Sequence, residues 1–437
     1  MKYCIGIGLL CASLAVHADI NLYRHKYGEI NAGLQLQTVG FTGANAYFGN
    51  AQAELGNNTN TSWEGSIEPS ISAQVNISKS QLYAGFSYLY GITVGHDSSG
   101  LTQGLDTPNR GLIEQGYIGW RSGDLFSTQK NLLVVSLGRQ DYRLGSGFLI
   151  YDGAGDGGTR GAWWIGARQS FDNSALVRIN LAGVKLEYFH LNTRPRDVQN
   201  KLGLDGVNLE YTHASLGNIG FSYINVGKSQ KDLNNDFVDG LHTYDIRANI
   251  SPFRHLRSLQ IAGEYVYQHN PLTQAHGGFA QLSYQYQTWP WRPKFSYRYT
   301  ALAGDDPHTD KNEAFNALAY GFSDWGTWYQ GEITGEHIFG SSNLNSHLLR
   351  MELAPIDSVL INLMYYYFEL DQATALGNQV TNPHFADEIN LIVDWQATDN
   401  TLISGALAIA IPAGGAQQFT GGNQTWVQLM LYGSYTF

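Results

Sequence analysis

The chain has 437 residues, among them 50 Gly, 27 Tyr, 19 Phe and 10 Trp but only 11 Pro. Its 26 Lys and Arg face 37 Asp and Glu, and the resulting net charge of −11 excludes a broad nucleic-acid-binding surface. Although 43% of residues are hydrophobic, no apolar run beyond the N-terminal segment is long enough to span a bilayer as a helix.

That N-terminal segment has its own logic. Met1-Lys2 supplies a minimal positive start and Ile5 to Val16 a short apolar core. Val16-His17-Ala18 then places small residues at the two positions a signal peptidase reads. The expected division is a signal peptide over 1–18 and a mature domain over 19–437, beginning at Asp19. A lipid anchor on Cys11 is disfavoured, because bulky Leu10 stands where a small residue is expected. Cys4 and Cys11 both fall inside this signal, so the mature chain carries no thiol. That suits passage through an oxidising periplasm, and it removes disulfides, thiolate metal sites and Cys nucleophiles together.

From Ser62 onward the hydrophobic period is two. Trp63, Ile67, Ile71, Val75 and Ile77 share one face, while Glu64, Ser66, Glu68, Ser72 and Gln74 share the other. The same alternation returns in Val184/Leu186/Tyr188 against Lys185/Glu187, and in Phe295/Tyr297/Tyr299 against Lys294/Arg298. It continues in Leu349/Met351/Leu353 against Arg350/Glu352, and in Ile389/Leu391/Val393/Trp395 against Glu388/Asn390/Asp394.

Tight turns are expected near Lys79 and at 180–183, 215–217, 252–255, 289–292, 355–357 and 398–400, with a looser one at 123–130. Between them lie polar, Gly-rich stretches at 42–61, 95–110, 140–173, 192–202, 228–240, 304–343, 372–384 and 412–424, and a shorter one at 270–274. Alternating short and long connections describe an all-β transmembrane antiparallel barrel with short periplasmic turns and long extracellular loops; counting gives about 18 strands. In the last strand Val427, Leu429, Leu431, Tyr435 and Phe437 share a face opposite Gln428, Ser434 and Thr436. Ending on an aromatic resembles the signal by which the outer-membrane assembly machinery recognises barrels. Trp63, Tyr265, Tyr267 and Trp395 are expected in interfacial girdles against outer-membrane lipid. A soluble propeller is the alternative, but no blade-length repeat is visible.

A barrel this wide leaves an aqueous lumen unless loops fold inward. The parities turn Arg178, Lys185, Glu187, Glu210, Asp245, Arg247, Glu264, Lys294, Arg298, Arg350, Glu352, Glu388 and Asp394 inward. Charged rings set pore selectivity, and pairing across the wall is the ordinary alternative. Two long loops are suited to narrowing the lumen. The first carries Arg139, Asp141, Arg143, Asp152, Asp156, Arg160, Trp163, Trp164 and Arg168. Its guanidiniums are placed either to grip solute carboxylates or to pin the loop through their own acids. Arg139 shares parity with outward Leu133, Val135 and Leu137, so Gly138 is read as the end of the regular strand, which lets Arg139 turn inward. The second loop holds Asp305, Asp306, Asp310, Phe315, Tyr320, Trp325, Trp328, Tyr329, Glu332 and Glu336, aromatics for sugar rings or for packing.

No enzyme is expected, since neither a Gly-x-Ser-x-Gly elbow nor a His-Glu-x-x-His helix is present. No metal or cofactor is expected either. Asp152 to Gly158 has the look of a calcium loop but lacks the downstream Glu, and the 13 His are scattered. The sequons around 57–62 carry no weight in a bacterial setting.

These residues resemble the alginate export family of outer-membrane barrels. The resemblance rests on Gly138-Arg139-Gln140 with Arg143 and Gly145, on Arg168 and Phe171-Asp172, on Ala303-Gly304-Asp305, and on Phe315-Asn316 with Tyr320-Gly321. It implies a conduit for an anionic polysaccharide such as alginate, or its oligomers, through an arginine-rich constriction. Arg139, Arg143, Arg160 and Arg168 are the residues it marks, joined by the inward cations Arg178, Lys185, Arg247, Lys294, Arg298 and Arg350. The acidic overall charge and mixed lumen depart from a purely basic lining. Other readings stay open: a porin-type uptake channel for small carboxylates or sugars, and a loop-plugged structural or adhesive barrel.

Overall fold

A computed structural model describes residues 20–56, 61–96, 107–126, 129–194, 201–227, 237–321 and 330–437. The expected signal peptide with its cleavage site, most of the sequon stretch, and Trp325, Trp328 and Tyr329 lie outside the described residues.

Nineteen strands form one sheet, each paired antiparallel to its sequence neighbour. A short strand β1 (Ile20–His25) precedes β2 (Gly28–Ala44), β3 (Ser62–Ile77), β4 (Ser80–Gly95), β5 (Asn109–Arg121) and β6 (Leu133–Gln140). Then come β7 (Phe171–Leu181), β8 (Val184–Asn192), β9 (Gly203–His213), β10 (Gly217–Val226), β11 (His242–Ile250) and β12 (Leu259–His269). The ring continues with β13 (Gln274–Gln285), β14 (Lys294–Leu302), β15 (Leu344–Ile356) and β16 (Val359–Glu369), then β17 (His384–Thr398), β18 (Thr401–Pro412) and β19 (Trp426–Thr436). β19 pairs with β2, so the eighteen strands after β1 close into a barrel. Closure leaves each of these eighteen strands paired on both sides, which a sheet inside a hydrocarbon layer requires.

At the seam, Phe437 exchanges two backbone hydrogen bonds with Leu34, at 2.6 and 3.0 Å. β19 stops opposite Gln35, whereas β2 runs on to Gly28. β1 fills that stretch of edge, pairing from Ala32 to Gly28. This nineteenth strand was not expected from the sequence. Its six residues are too few to show a period.

The parities hold. Trp63, Ile67 and Ile71 stand exposed on the lipid side while Glu64 between them is buried in the lumen. Leu429, Leu431 and Tyr435 face out, and Gln428 faces in. The connection expected at 42–61 is more structured than that: β2 runs to Ala44, and a short helix at Ala51–Leu55 follows it. The hydrophobic core lies inside the barrel. There Tyr142, Leu144, Phe148, Phe189, Phe315, Phe385 and Trp426 bring together in-folded loops and the inner wall.

Candidate functional site

Gly138 does not end its strand. β6 runs on to Gln140 across a register shift opposite β7 between Gly138 and Gln140. Gly138 has φ +124°, and a Cβ there would lie 2.4 Å from the Gly116 carbonyl oxygen, so only Gly fits. Arg139 is bound to the Asp172 carboxylate and donates to the Ile113 carbonyl at 2.8 Å. Lys201 also approaches Asp172, and Arg194 bridges Ile113 to Glu114, so Arg139 belongs to a paired cluster where the loop leaves the wall.

The loop that follows, 141–170, is organised by its own charges. Arg168 and Asp156 form an ion pair with 0% exposure on both side chains, and Asp156 also accepts the Arg168 backbone N–H at 2.9 Å. Burial pushes the Asp156 carboxyl up, and the Arg168 guanidinium beside it opposes that rise. Arg160 Nη1 donates to the carbonyls of Ala154, Gly155 and Arg194, each at 2.9 Å. Asp152 accepts the N–H groups of Ala154 and Gly155 at 2.9 and 3.2 Å. Both acids of the calcium-like stretch are thus used internally, and among the described residues no group of three or more His, Cys, Asp or Glu could hold a metal. Arg160 and Arg168 are both buried inside the loop. Arg143 bonds the Gly145 carbonyl at 3.2 Å and stands 5.5 Å over the Tyr151 ring.

The loop crosses the lumen. On one side Glu64 of β3 accepts the N–H groups of Trp164 and Ile165 at 3.0 Å, and Thr93 of β4 accepts that of Ala162 at 2.7 Å. Glu114 of β5 takes those of Gln169 and Ser170 at 2.9 and 2.8 Å. On the far side Ser146 Oγ donates to Glu264 of β12 at 2.7 Å, and Gly145 lies against Arg247 of β11.

The second loop enters the lumen as well. Ala319 bridges to Ile150, with Tyr151 N–H donating to the Ala319 carbonyl at 2.7 Å, and Phe315 stacks on Phe148 at 5.7 Å. Asn316 and Gln268 exchange two hydrogen bonds at 2.9 and 2.7 Å. A helical segment, Gly331–Phe339, docks on β17, where Glu388 accepts the Ile333 and Thr334 N–H groups at 3.0 and 2.8 Å. The His337 ring lies between Trp163 of the first loop and Trp426 of β19, 5.6 and 5.5 Å away. Burial pulls this imidazole down to about 4 and pushes the neighbouring Glu336 carboxyl up to about 7.

Below this double-loop constriction the inward charges form ladders. Arg178 binds Glu187 at 2.7 Å; Lys185 reaches Glu187 at 3.2 Å and Glu210 at 3.6 Å. Arg247 joins Asp245, Glu210 at 3.3 Å, Ser222 at 2.8 Å and Asn208 at 2.5 Å. Further round, Lys294 and Arg350 share Glu352 at 3.0 and 3.1 Å, and Arg350 also holds Asn362 at 3.0 Å. Arg298 donates to Gln281 at 3.0 Å and lies 4.2 Å over the Phe279 ring. The amides and hydroxyls in these ladders, together with Glu114, Ser146 and Gln268, were not singled out from sequence. Strand parity alone marks Asn208, Ser222 and Asn362 as inward, but charge drew the attention.

A closed ring of antiparallel strands, apolar outside and polar within, with loops folded across the lumen, defines an outer-membrane channel of the porin class. The chain belongs to the alginate export family, whose model matches residues 97–406. Solved structures share the fold. A BenF-like porin from Pseudomonas fluorescens Pf-5 is 12% identical with a TM-score of 0.61, over 93% of this chain and 98% of that one. OpdK from Pseudomonas aeruginosa is 11% identical with a TM-score of 0.59, over 93% and 98%. OprD from Pseudomonas aeruginosa is 12% identical with a TM-score of 0.55, over 93% of each. No curated protein matches the chain.

Proposed function

We propose that this channel passes an anionic saccharide of the uronate type, alginate or its oligomers, along the charged wall below the double-loop constriction. The observation that carries the reading is the set of inward cations on β7, β8, β11, β14 and β15. Arg178, Lys185 and Lys294 keep 41%, 31% and 24% of their side chains open to the lumen, while Arg247, Arg298 and Arg350 lie deeper.

A uronate unit carries one carboxylate and several hydroxyls. Guanidinium and ammonium groups donate to the carboxylate, and the interleaved Glu, Asn and Gln oxygens accept from the hydroxyls. Partial neutralisation by Glu187, Glu210 and Glu352 keeps each contact weak, and weak multiple sites let a solute leave as well as enter. Arg139 and Arg143 stand where the loop leaves β6, and Arg160 and Arg168 shape it. The signal at Phe437 hands the exported chain to the assembly machinery.

Reversal potential under a KCl gradient tests this reading, with the protein refolded into planar bilayers. The double variant Lys185→Glu, Lys294→Glu is expected to lose anion preference and block by oligouronate. Unchanged selectivity and block would remove these cations from the pathway.

A further inference from the structure

The lipid-facing rim at the extracellular strand ends is not uniform. From β8 to β17 it is built of imidazole, phenol and carboxylate. One rung runs His190, Asp205, Asn225, His242, His269 and Gln274 across register-paired strands. Further round, Tyr299, His347, Tyr367 and Asp387 are opposed in turn, and Glu369 faces His384. On the other arc the outward positions Ile411, Trp63 and Val94 are apolar, and the phenols of Tyr88 and Tyr90 on β4 stand there without imidazole neighbours in register.

The carboxylates of this rim are already used. Asp205 takes His190 at 2.8 Å and Tyr188 at 3.1 Å; Asp387 takes His384 at 3.1 Å and Tyr365 at 2.5 Å; Glu369 takes Tyr367 at 3.2 Å. Donors remain. Among the described residues the side chains of His269, His276, Tyr244 and Tyr267 make no hydrogen bond, and His242 uses only Nδ1, toward Tyr223 at 2.8 Å. The His242 and His269 rings lie 5.3 Å apart, and Tyr244 stacks on His269 at 5.9 Å, so these donors are held side by side.

A rim that points away from the lumen, above the apolar band of an outer-membrane barrel, meets the headgroup layer of the outer leaflet. Its acids are satisfied internally, and its spare groups are N–H and O–H donors. We propose that the β8–β17 rim binds the phosphate groups of outer-leaflet lipid by direct hydrogen bonds from His242, His269, Tyr244 and Tyr267. This fixes which arc of the barrel carries bound lipid, and it rests on the outer-membrane location alone, not on the transported solute.

The test is native mass spectrometry of the full barrel in detergent. The probes are a bisphosphorylated glucosamine-disaccharide lipid and its dephosphorylated counterpart. The wild type is expected to retain the phosphorylated lipid preferentially. His242→Ala with His269→Ala, and separately Tyr244→Phe with Tyr267→Phe, are each expected to cut that preference about fivefold. The Phe pair keeps the rings, so its loss isolates the hydroxyls from aromatic packing. Equal retention of both lipids by the wild type would overturn the proposal, as would an undiminished preference in both variants. A preference abolished by EDTA would overturn it too, since it would mean cation bridges rather than direct bonds.

Discussion

Substituting Ala for Gly145 should unseat the tip of the constriction loop. Gly145 has φ +54°, and a Cβ there would lie 2.4 Å from Arg247 Nε and 2.5 Å from Cδ. The backbone conformation alone costs a non-glycine residue about 1 kcal/mol. The clash adds about 1–3 kcal/mol, as for overpacking elsewhere. Arg247 cannot swing clear cheaply, because Asp245, Ser222 and Asn208 hold its guanidinium. Together these terms shift the seated-to-released ratio about 30- to 1,000-fold. The assay is single-channel recording of the refolded barrel. G145A is expected to show higher conductance and larger open-channel noise, with thermal stability of the barrel nearly unchanged. Ser146→Ala, which removes only the bond to Glu264, should do the same more weakly, at about 1 kcal/mol. A G145A channel with wild-type conductance and noise would refute the placement of this tip in the conducting path.

Three further outcomes follow from the same contacts. Asp156→Asn leaves the buried Arg168 guanidinium without its counter-charge, at a cost of about 3–5 kcal/mol to the loop. Trypsin should then cleave within 141–170 in an otherwise folded barrel, and resistance equal to wild type would contradict it. Burial shifts His337 and Glu336 in opposite directions. The imidazole's stabilising effect is present above its ordinary 6.5 and lost as pH falls toward about 4, whereas the carboxyl's is present below its ordinary 4.5 and lost as pH rises through about 7. Conductance should therefore vary little with pH in the wild type, rise on acidification in Glu336→Gln, and rise on alkalinisation in His337→Phe; slopes of the same sign in both variants would contradict this. Deleting Phe437 removes two seam hydrogen bonds to Leu34, about 1 kcal/mol each. Refolding in detergent should survive that loss while folded barrel in cells falls sharply, and a parallel small change in both would leave Phe437 a seam residue only.

How far the sequence reached depends on the range of the interaction. Strand faces were legible because a lipid-facing and a lumen-facing side must alternate with period two. Glu187, Glu210, Asp245 and Arg350 therefore stand where parity puts them. Strand count followed from alternating turn lengths, and β1 escaped because its pairing is set by where β19 stops, which is a non-local fact. The constriction was legible only as composition. That Arg168 pairs with Asp156 depends on how the loop folds back on itself, which composition does not carry. The bulge at Gly138 was mistaken for a strand end, since a glycine marks either one. Glu64 and Glu114 look like ordinary inward acids in sequence, yet each clamps a pair of loop N–H groups from about a hundred and about fifty-five residues away, respectively.

The central claim is that an anionic saccharide passes along the wall below the loops. Single-channel current with oligouronate added to one side of the wild-type protein, in a planar bilayer under a KCl gradient, tests it most directly. Anion selectivity with concentration-dependent, resolvable blocking events is the predicted result. An open channel that prefers cations and ignores oligouronate, or a bilayer that stays silent, would contradict it.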